Sequence, residues 1–152
     1  QKIWTDAAKS VYAQYDKPNA LDDEAVSLRI AKWAATADGD EHMLFAVCLN
    51  AAVIGYVVFN LREDAYEIGY CFHSDYHGKG YARESVSALL DMMKAKGISR
   101  IAAGTALKNT PSVKLLLSLG FKQIGMEKVS FYKDDNGNDI FFEGGEYELN
   151  LF

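Results

Sequence analysis

The hydrophobic period of this chain changes near its middle, and this change constrains the fold more than any other feature. Apolar, β-branched and aromatic residues first form three strand-like runs: Met43 to Leu49, Val53 to Leu61 and Ala65 to His73. Apolar side chains then recur at helical spacing: Val86, Leu89, Leu90 and Met93. The pattern predicts a hairpin, a third strand and then a helix, with Gly97 at the C-terminal cap of that helix.

Two helices are predicted before the strands. Thr5 is a candidate cap for a short helix that ends before Lys17 and has the apolar positions Ala8, Val11, Tyr12 and Tyr15. A second helix begins at Asp22, has an acidic first turn and runs to about Thr36. Its predicted apolar face consists of Val26, Ile30 and Trp33. A polar turn at residues 37–40 separates this helix from the first strand.

Further elements follow the central helix. They are a strand from Ile101 to Thr105, a helix from Thr110 to Gly120 with Pro111 in its first position, and a hairpin of Phe121 to Tyr132 with Ile140 to Leu149. The order of elements predicts an α/β (α+β) fold. Its sheet is mixed, mostly antiparallel and twisted, with one central parallel βαβ step and helices on both faces.

Composition limits the function classes. A chain of 152 residues with 49% hydrophobic residues and only two prolines predicts a single domain over residues 1–152. The net charge of -5 excludes a nucleic-acid partner, and the absence of a long apolar run excludes a membrane span. Cys48 and Cys71 lack Cys-x-x-Cys spacing, which predicts no disulfide, no metal site and a cytoplasmic location. The chain begins at Gln1, so an upstream targeting segment stays open.

The segment from His77 to Ala82 lies between the third strand and the central helix. Its glycines let the backbone approach an anion, and consecutive N–H groups at a helix N-terminus would point at that anion. A tight turn without a ligand is the alternative. Two nucleotide motifs fit poorly, because Gly80 follows Lys79 where a Walker loop needs Ser or Thr, and Arg83 stands where a dinucleotide motif needs Gly.

The same segment resembles motif A of the GNAT superfamily of N-acetyltransferases, Gln/Arg-x-x-Gly-x-Gly/Ala. Gly80 and Ala82 fill the small positions, while His77 stands where the family usually has Gln or Arg. A second block, from Asn109 to Phe121, is similar to the family's Asn-x-x-Ser-x-x-x-Leu-x-x-Leu-Gly-Phe segment. Together with the segment from Glu67 to Tyr70, these motifs most resemble those of the ribosomal-protein alanine N-acetyltransferase branch of the family.

The resemblance implies a GNAT-like fold and acetyl-CoA as cosubstrate, with no metal. Backbone groups around Cys71, Phe72 and His73 would hold the pantetheine arm and polarise the thioester. The expected pyrophosphate site comprises His77, Gly78, Lys79, Gly80, Tyr81, Ala82 and Arg83. Asn109 and Ser112 would line the pantetheine. The family's first strand is not evident before Thr5, so an upstream segment or a partner chain, including a second copy in a homodimer, would cover that sheet edge.

Candidates for proton transfer follow from the residue types. Glu67 is the candidate general base. The alternative is that Glu67 is an ordinary strand glutamate that is solvated or hydrogen-bonded and has no catalytic role. The family's usual tyrosine acid is replaced by Leu116, a predicted core residue, which leaves Ser112 or a nearby tyrosine as the acid. Cys71, with the two histidines of this region, is an inferior alternative as a metal or acyl-cysteine site, because no further ligand has supporting spacing.

The resulting functional hypothesis is transfer of an acetyl group from acetyl-CoA to a primary amine, which is a protein N-terminus, a peptide or a small molecule. A GNAT-like module that binds acyl-CoA without turnover and a phosphate-binding domain are the alternatives. The acidic net charge favours a cationic acceptor by electrostatic steering. Trp4, Tyr12 and Tyr15 either line an acceptor groove or fill the core, and Trp33 is assigned to the core.

Overall fold

A computed structural model describes residues 1–37 and 39–152. The helices are α1 (Lys2–Ala7), α2 (Asp23–Thr36), α3 (Tyr81–Ala95) and α4 (Thr110–Ser118), and short 3-10 turns occur at Ala13–Tyr15 and Ser74–Tyr76. The strands are β1 (His42–Leu49), β2 (Ala52–Arg62), β3 (Ala65–Phe72), β4 (Arg100–Ala106), β5 (Lys122–Lys133) and β6 (Asp139–Asn150). Of the predicted polar turn, Asp38 lies outside the described residues.

One six-stranded sheet organises the described residues, in the order β1-β2-β3-β4-β6-β5. Neighbouring strands are antiparallel except β3 and β4, which are parallel. Helix α3 connects these two strands, as expected for a parallel crossover. The predicted mixed sheet, both hairpins and the central βαβ step are therefore confirmed.

The parallel pair separates along its length. Only Tyr66 with Ile101 and Glu67 with Ala102 are paired, although β3 continues to Phe72 and β4 to Ala106. Beyond Glu67 the facing edges of the two strands diverge without ladder hydrogen bonds. The result is a wedge that opens toward the carboxyl ends of β3 and β4, beside the N-termini of α3 and α4.

Helices cover both faces of the sheet because strand side chains alternate between them. On one face, the core contains Val57 and Phe59 of β2 together with Val86 of α3 and Leu116 of α4. On the other face, Tyr56 packs against an aromatic pair, Trp4 of α1 and Trp33 of α2. We call the first the α3–α4 face and the second the α1–α2 face. The predicted helices on both faces are confirmed.

The predicted first helix is wrong in its bounds. The chain forms α1 and, separately, the 3-10 turn Ala13–Tyr15. Two tertiary anchors explain the break. The Trp4 Nε1–H donates a hydrogen bond of 2.9 Å to the Tyr56 hydroxyl, whereas Tyr15 packs edge-on against Phe142 of β6, 5.2 Å between ring centroids. A continuous helix from Thr5 would not place both aromatic residues on these partners.

Two smaller predictions also need correction. Helix α2 has the predicted Asp22 cap, whose side chain accepts a hydrogen bond from the Ala25 N–H, but Ile30 is 47% exposed and lies outside the apolar face. The neighbouring Arg29, with its guanidinium over the Trp4 ring, occupies the inward side instead. Pro111 is the second helical residue of α4, because Asn109 is the cap and Thr110 comes first.

Candidate active site

The loop between β3 and α3 has the geometry of an anion cradle. Gly78 and Gly80 have φ angles of 70° and 84°, in the left-handed region that favours glycine. Gly80 is also the N-terminal cap of α3. A Cβ atom at either position would meet no atom within 4 Å, so backbone conformation, not crowding, requires glycine here. The loop therefore exposes its backbone toward the wedge side of α3.

Consecutive N–H groups of this loop are free. Among the described residues, none of the backbone amides from Gly78 to Arg83 donates a hydrogen bond, and the first that does is Glu84, to the Gly80 carbonyl at 3.0 Å. The α3 dipole adds partial positive charge at this end. Such a run of amides provides donors for the oxygens of a pyrophosphate.

Side chains fix the shape of this cradle. His77 Nε2 lies 2.8 Å from the Phe72 carbonyl oxygen, at the end of β3. Lys79 Nζ donates to the Asp75 carbonyl oxygen at 2.8 Å. His77 thus holds the loop against the strand that borders the wedge.

A pair of hydroxyl groups connects β3 to α4. The Tyr70 hydroxyl lies 2.9 Å from Ser112 Oγ, on the α3–α4 face. Asn109 Oδ1 accepts a hydrogen bond of 3.4 Å from the Ser112 N–H and so caps α4. Burial raises the pKa of Tyr70, so its hydroxyl stays protonated at neutral pH. The pair provides a proton donor that faces this side of the wedge.

Glu67 lies on the opposite face of β3 from Tyr70, at the last paired position before the wedge opens. Its carboxylate accepts a hydrogen bond from Arg62 Nε at 2.9 Å, and its side chain is 44% exposed. The structure therefore brings Ser112 and Tyr70 together but does not bring Glu67 to them. A group that enters the wedge would meet the carboxylate from one face and the hydroxyl pair from the other.

Cys71 lies on the α1–α2 face of β3, opposite Tyr56 in the β2–β3 ladder. Burial, with smaller contributions from the negative charges of Asp16 and Asp6, raises the pKa of the Cys71 thiol to about 11. The thiol is consequently neutral near pH 7 and a weak nucleophile. This environment opposes the acyl-cysteine alternative and suits a small residue beside the wedge.

Comparison with protein families identifies the family of the chain. Residues 2–122, most of the chain, match the acetyltransferase (GNAT) domain. The chain belongs to the GNAT acetyltransferase family. The resemblance inferred from motif A and from the Asn109–Phe121 block is thereby confirmed.

Curated relatives match parts of this GNAT chain. YnaD of Bacillus subtilis strain 168, an uncharacterized N-acetyltransferase, is 36% identical over 100 residues, which are 62% of this chain and 56% of YnaD. The bS18 alanine N-acetyltransferase of Haemophilus ducreyi is 30% identical over 102 residues, 65% of this chain and 61% of that enzyme. The chain thus spans little more than half the length of these two relatives.

Solved structures share the fold over almost the whole chain. The ribosomal-protein-S5-alanine acetyltransferase of Vibrio fischeri has a TM-score of 0.78 at 23% identity, over 99% of this chain and 86% of that one. The N-acetyltransferase of Staphylococcus aureus Mu50 has a TM-score of 0.77 at 27% identity, over 99% and 89%. yncA of Salmonella typhimurium, solved with its cofactor acetyl-CoA, has a TM-score of 0.76 at 22% identity, over 99% and 85%.

Leu116, at the position where many GNAT enzymes have a tyrosine acid, is 1% exposed and belongs to the core. Its predicted place in the core is confirmed. The contact of Ser112 with Tyr70 was missed, because the sequence does not indicate which nearby tyrosine meets Ser112. The alternation of β3 placed Tyr70 on the core face, but its contact with a residue 42 positions later depends on where α4 packs.

Two more residues near the site were missed. Asp6 of α1 accepts hydrogen bonds of 2.7 Å from the backbone N–H and the hydroxyl of Ser74, and these bonds lower the Asp6 pKa. They tie α1 to the loop that precedes the cradle. Arg62 of β2 holds Glu67 of β3 as a diagonal pair, which was missed because the third strand was predicted without a register against the second. No helix among the described residues is long and apolar enough to cross a membrane.

Proposed function

We propose that the chain is an acetyl-CoA-dependent N-acetyltransferase that transfers the acetyl group directly to a primary amine. The observation that carries this proposal is the run of free amides from Gly78 to Arg83, which opens α3 directly beside the β3–β4 wedge. The free amides suit a pyrophosphate, and the wedge between β3 and β4 admits an extended arm such as pantetheine. Membership of the GNAT family supports the same ligand.

The residues present fit acetyl-CoA, which supplies the acetyl group as a thioester. The amides from Gly78 to Arg83 would bind the pyrophosphate, with His77 holding the loop in place. The unpaired edge of β3 at Cys71, Phe72 and the following His73 would bind the pantetheine arm through backbone groups. Ser112 on α4 and the side-chain amide nitrogen of Asn109, the cap of α4, would face the same arm.

Glu67 would prepare the acceptor amine. An ammonium group must lose a proton before its nitrogen attacks the thioester carbonyl carbon, and the half-exposed carboxylate can take this proton directly or through one water. Arg62 orients the carboxylate from the exposed side. The new C–N bond forms as the C–S bond breaks, so no covalent enzyme species is needed.

The Ser112–Tyr70 pair would return a proton to the leaving sulfur. Ser112 would donate its hydroxyl proton to the leaving sulfur and take one from Tyr70, and Tyr70 would recover a proton from solvent as the products leave. This pair would take the place of the tyrosine that Leu116 replaces. The proposed acid and base therefore lie on opposite faces of β3, on either side of the wedge where the thioester would bind.

The test combines binding and turnover. We expect acetyl-CoA to bind in isothermal titration calorimetry while ATP does not, and we expect free thiol to be released only when an amine is added. A panel of peptides, polyamines, aminoglycosides and amino acids serves as acceptors. Binding of acetyl-CoA without thiol release from any amine would favour the non-catalytic binding module, and no binding of any CoA ester would overturn the proposal.

A further inference from the structure

A groove of about 480 Å³ lies between α1 and α2, on the α1–α2 face of the sheet. We call it the α1–α2 groove and define it by Trp4, Asn19, Arg29, Lys32, Trp33 and Tyr56. It is separate from the cradle at the N-terminus of α3. None of the residues described above as acid, base or cradle lines it.

Aromatic rings form one side of the α1–α2 groove. The Trp4 and Trp33 ring centroids lie 5.4 Å apart, edge to face, and Trp33 lies 5.6 Å from Tyr56. The hydrogen bond from Trp4 Nε1 to the Tyr56 hydroxyl uses the polar atom that Trp4 carries. Trp4 is only 8% exposed, so the half-buried rings of Trp33 and Tyr56 provide the accessible apolar surface for an apolar or aromatic group. Trp33, which the sequence assigned to the core, is only half-buried and lines this groove.

Two cations form the other side. Arg29 stacks over Trp4, 4.6 Å from the ring centroid, and forms no hydrogen bond or ion pair with any described residue. Its Nη1 atom is buried without a partner in the described part of the chain. Lys32 lines the groove almost one turn further along α2. In a chain of net charge -5, this concentration of positive charge is suited to an anion.

Negative charge acts on the groove from the side of Tyr56. Asp16 raises the pKa values of both Tyr56 and Cys71 by less than burial does, so its negative charge acts on these two side chains. The groove thus has positive charge along α2, while Tyr56, which is paired with Cys71 of β3, is under the influence of a negative charge. A ligand with a carboxylate at one end and an ammonium near it matches this polarity.

We infer that the α1–α2 groove binds the acceptor, and that the acceptor is an apolar or aromatic α-amino acid with a free carboxylate. Arg29 and Lys32 hold the carboxylate, the Trp33 ring, backed by Trp4, packs on the side chain, and the ammonium points toward Tyr56 and β3. The inference rests on the proposed acetyl transfer for its catalytic part. Its binding part stands alone and replaces the expectation of a cationic acceptor, because this acceptor is a zwitterion.

Intrinsic fluorescence tests the binding part without turnover. The chain has two tryptophans, and both line the groove, so a bound ligand changes the emission directly. L-phenylalanine and 3-phenylpropanoate, which lacks the amine, are each expected to change the emission saturably at up to millimolar concentrations, whereas L-phenylalaninamide binds at least about tenfold more weakly. No change with either carboxylate, or equal affinity for the amide, would overturn the inference.

Variants separate this inference from the proposed function. Arg29→Gln should weaken phenylalanine binding about tenfold or more, while Lys122→Gln, the same charge change on exposed β5, should leave it unchanged. In the thiol-release assay Arg29→Gln should raise KM for phenylalanine without changing turnover of an amine that has no carboxylate. Equal effects of both variants would overturn the inference. Fluorescence binding without thiol release from any amine would overturn the proposed function while upholding the groove.

Discussion

The hydroxyl of Tyr70 on β3 lies 2.9 Å from Ser112 Oγ on α4, across the mouth of the wedge between β3 and β4. This contact joins the strand that borders the wedge to the helix that begins after β4. It puts two exchangeable protons on the α3–α4 face, about one helical turn before Leu116, the residue that this GNAT chain has in place of the family's tyrosine. We expect the two hydroxyls to act as one unit.

Removing either hydroxyl should slow acetyl transfer. Tyr70→Phe and Ser112→Ala are each expected to lower kcat by about tenfold to a hundredfold. Ser112→Ala removes the group that protonates the leaving sulfur, and Tyr70→Phe removes the group that returns a proton to Ser112. The double variant should lose little more than the worse single variant, since residues that act as a unit are not additive. Steady-state kinetics measures this, with acetyl-CoA affinity by calorimetry as the control. Fully additive losses would mean that the two groups act separately.

Glu67→Gln should lower kcat/KM at neutral pH by about a hundredfold, because the amide cannot accept the proton of the ammonium. Glu127→Gln, on exposed β5, is the matched control and should retain the full rate. A Glu67→Gln enzyme with unchanged kcat/KM would show that Glu67 is an ordinary strand glutamate and would leave the family assignment intact.

The parts of the fold that could be predicted are those with a local cause. Helix α2 follows from its Asp22 cap, and the glycine turn at Gly78 and Gly80 follows from backbone conformation. The bounds of α1 could not be predicted, because Trp4 is fixed by Tyr56, 52 residues later, and Tyr15 by Phe142. The contact between Tyr70 and Ser112 in the candidate site could not be predicted either, because it depends on how α4 packs against the sheet.

The groove shows this limit most clearly. Helical periodicity assigned Ile30 to the apolar face of α2, yet Ile30 is 47% exposed and Arg29 takes the inward side. A guanidinium can cover an indole ring because its planar face is weakly hydrated and attracted to the ring. No apolar periodicity marks such a position.

Gly80→Ala should weaken acetyl-CoA binding by about tenfold or more. A Cβ at φ 84° strains the backbone and shifts the amides that would meet the pyrophosphate, although it clashes with no atom within 4 Å. Gly137→Ala in the β5–β6 turn is a close control, because Gly137 has φ 83° and equally open surroundings. Both variants should lose about 1 kcal/mol of unfolding free energy, and only Gly80→Ala should change acetyl-CoA affinity in calorimetry. Equal affinity in the two variants would contradict the cradle.

The two free cysteines should differ in alkylation because Cys48 is exposed and Cys71 is not. With burial raising the Cys71 pKa to about 11, only on the order of 0.1% of this thiol is ionised at pH 8, and only the thiolate reacts. Iodoacetamide should therefore modify Cys48 first, as followed by peptide mass spectrometry. The rate of Cys71 alkylation should rise about tenfold per pH unit up to the highest pH at which the fold persists.

Acetyl-CoA should protect Cys71 from alkylation and leave Cys48 unaffected, since Cys71 borders the wedge. Cys71 modification at pH 7 as fast as that of Cys48, with no protection by acetyl-CoA, would place the cosubstrate away from this strand.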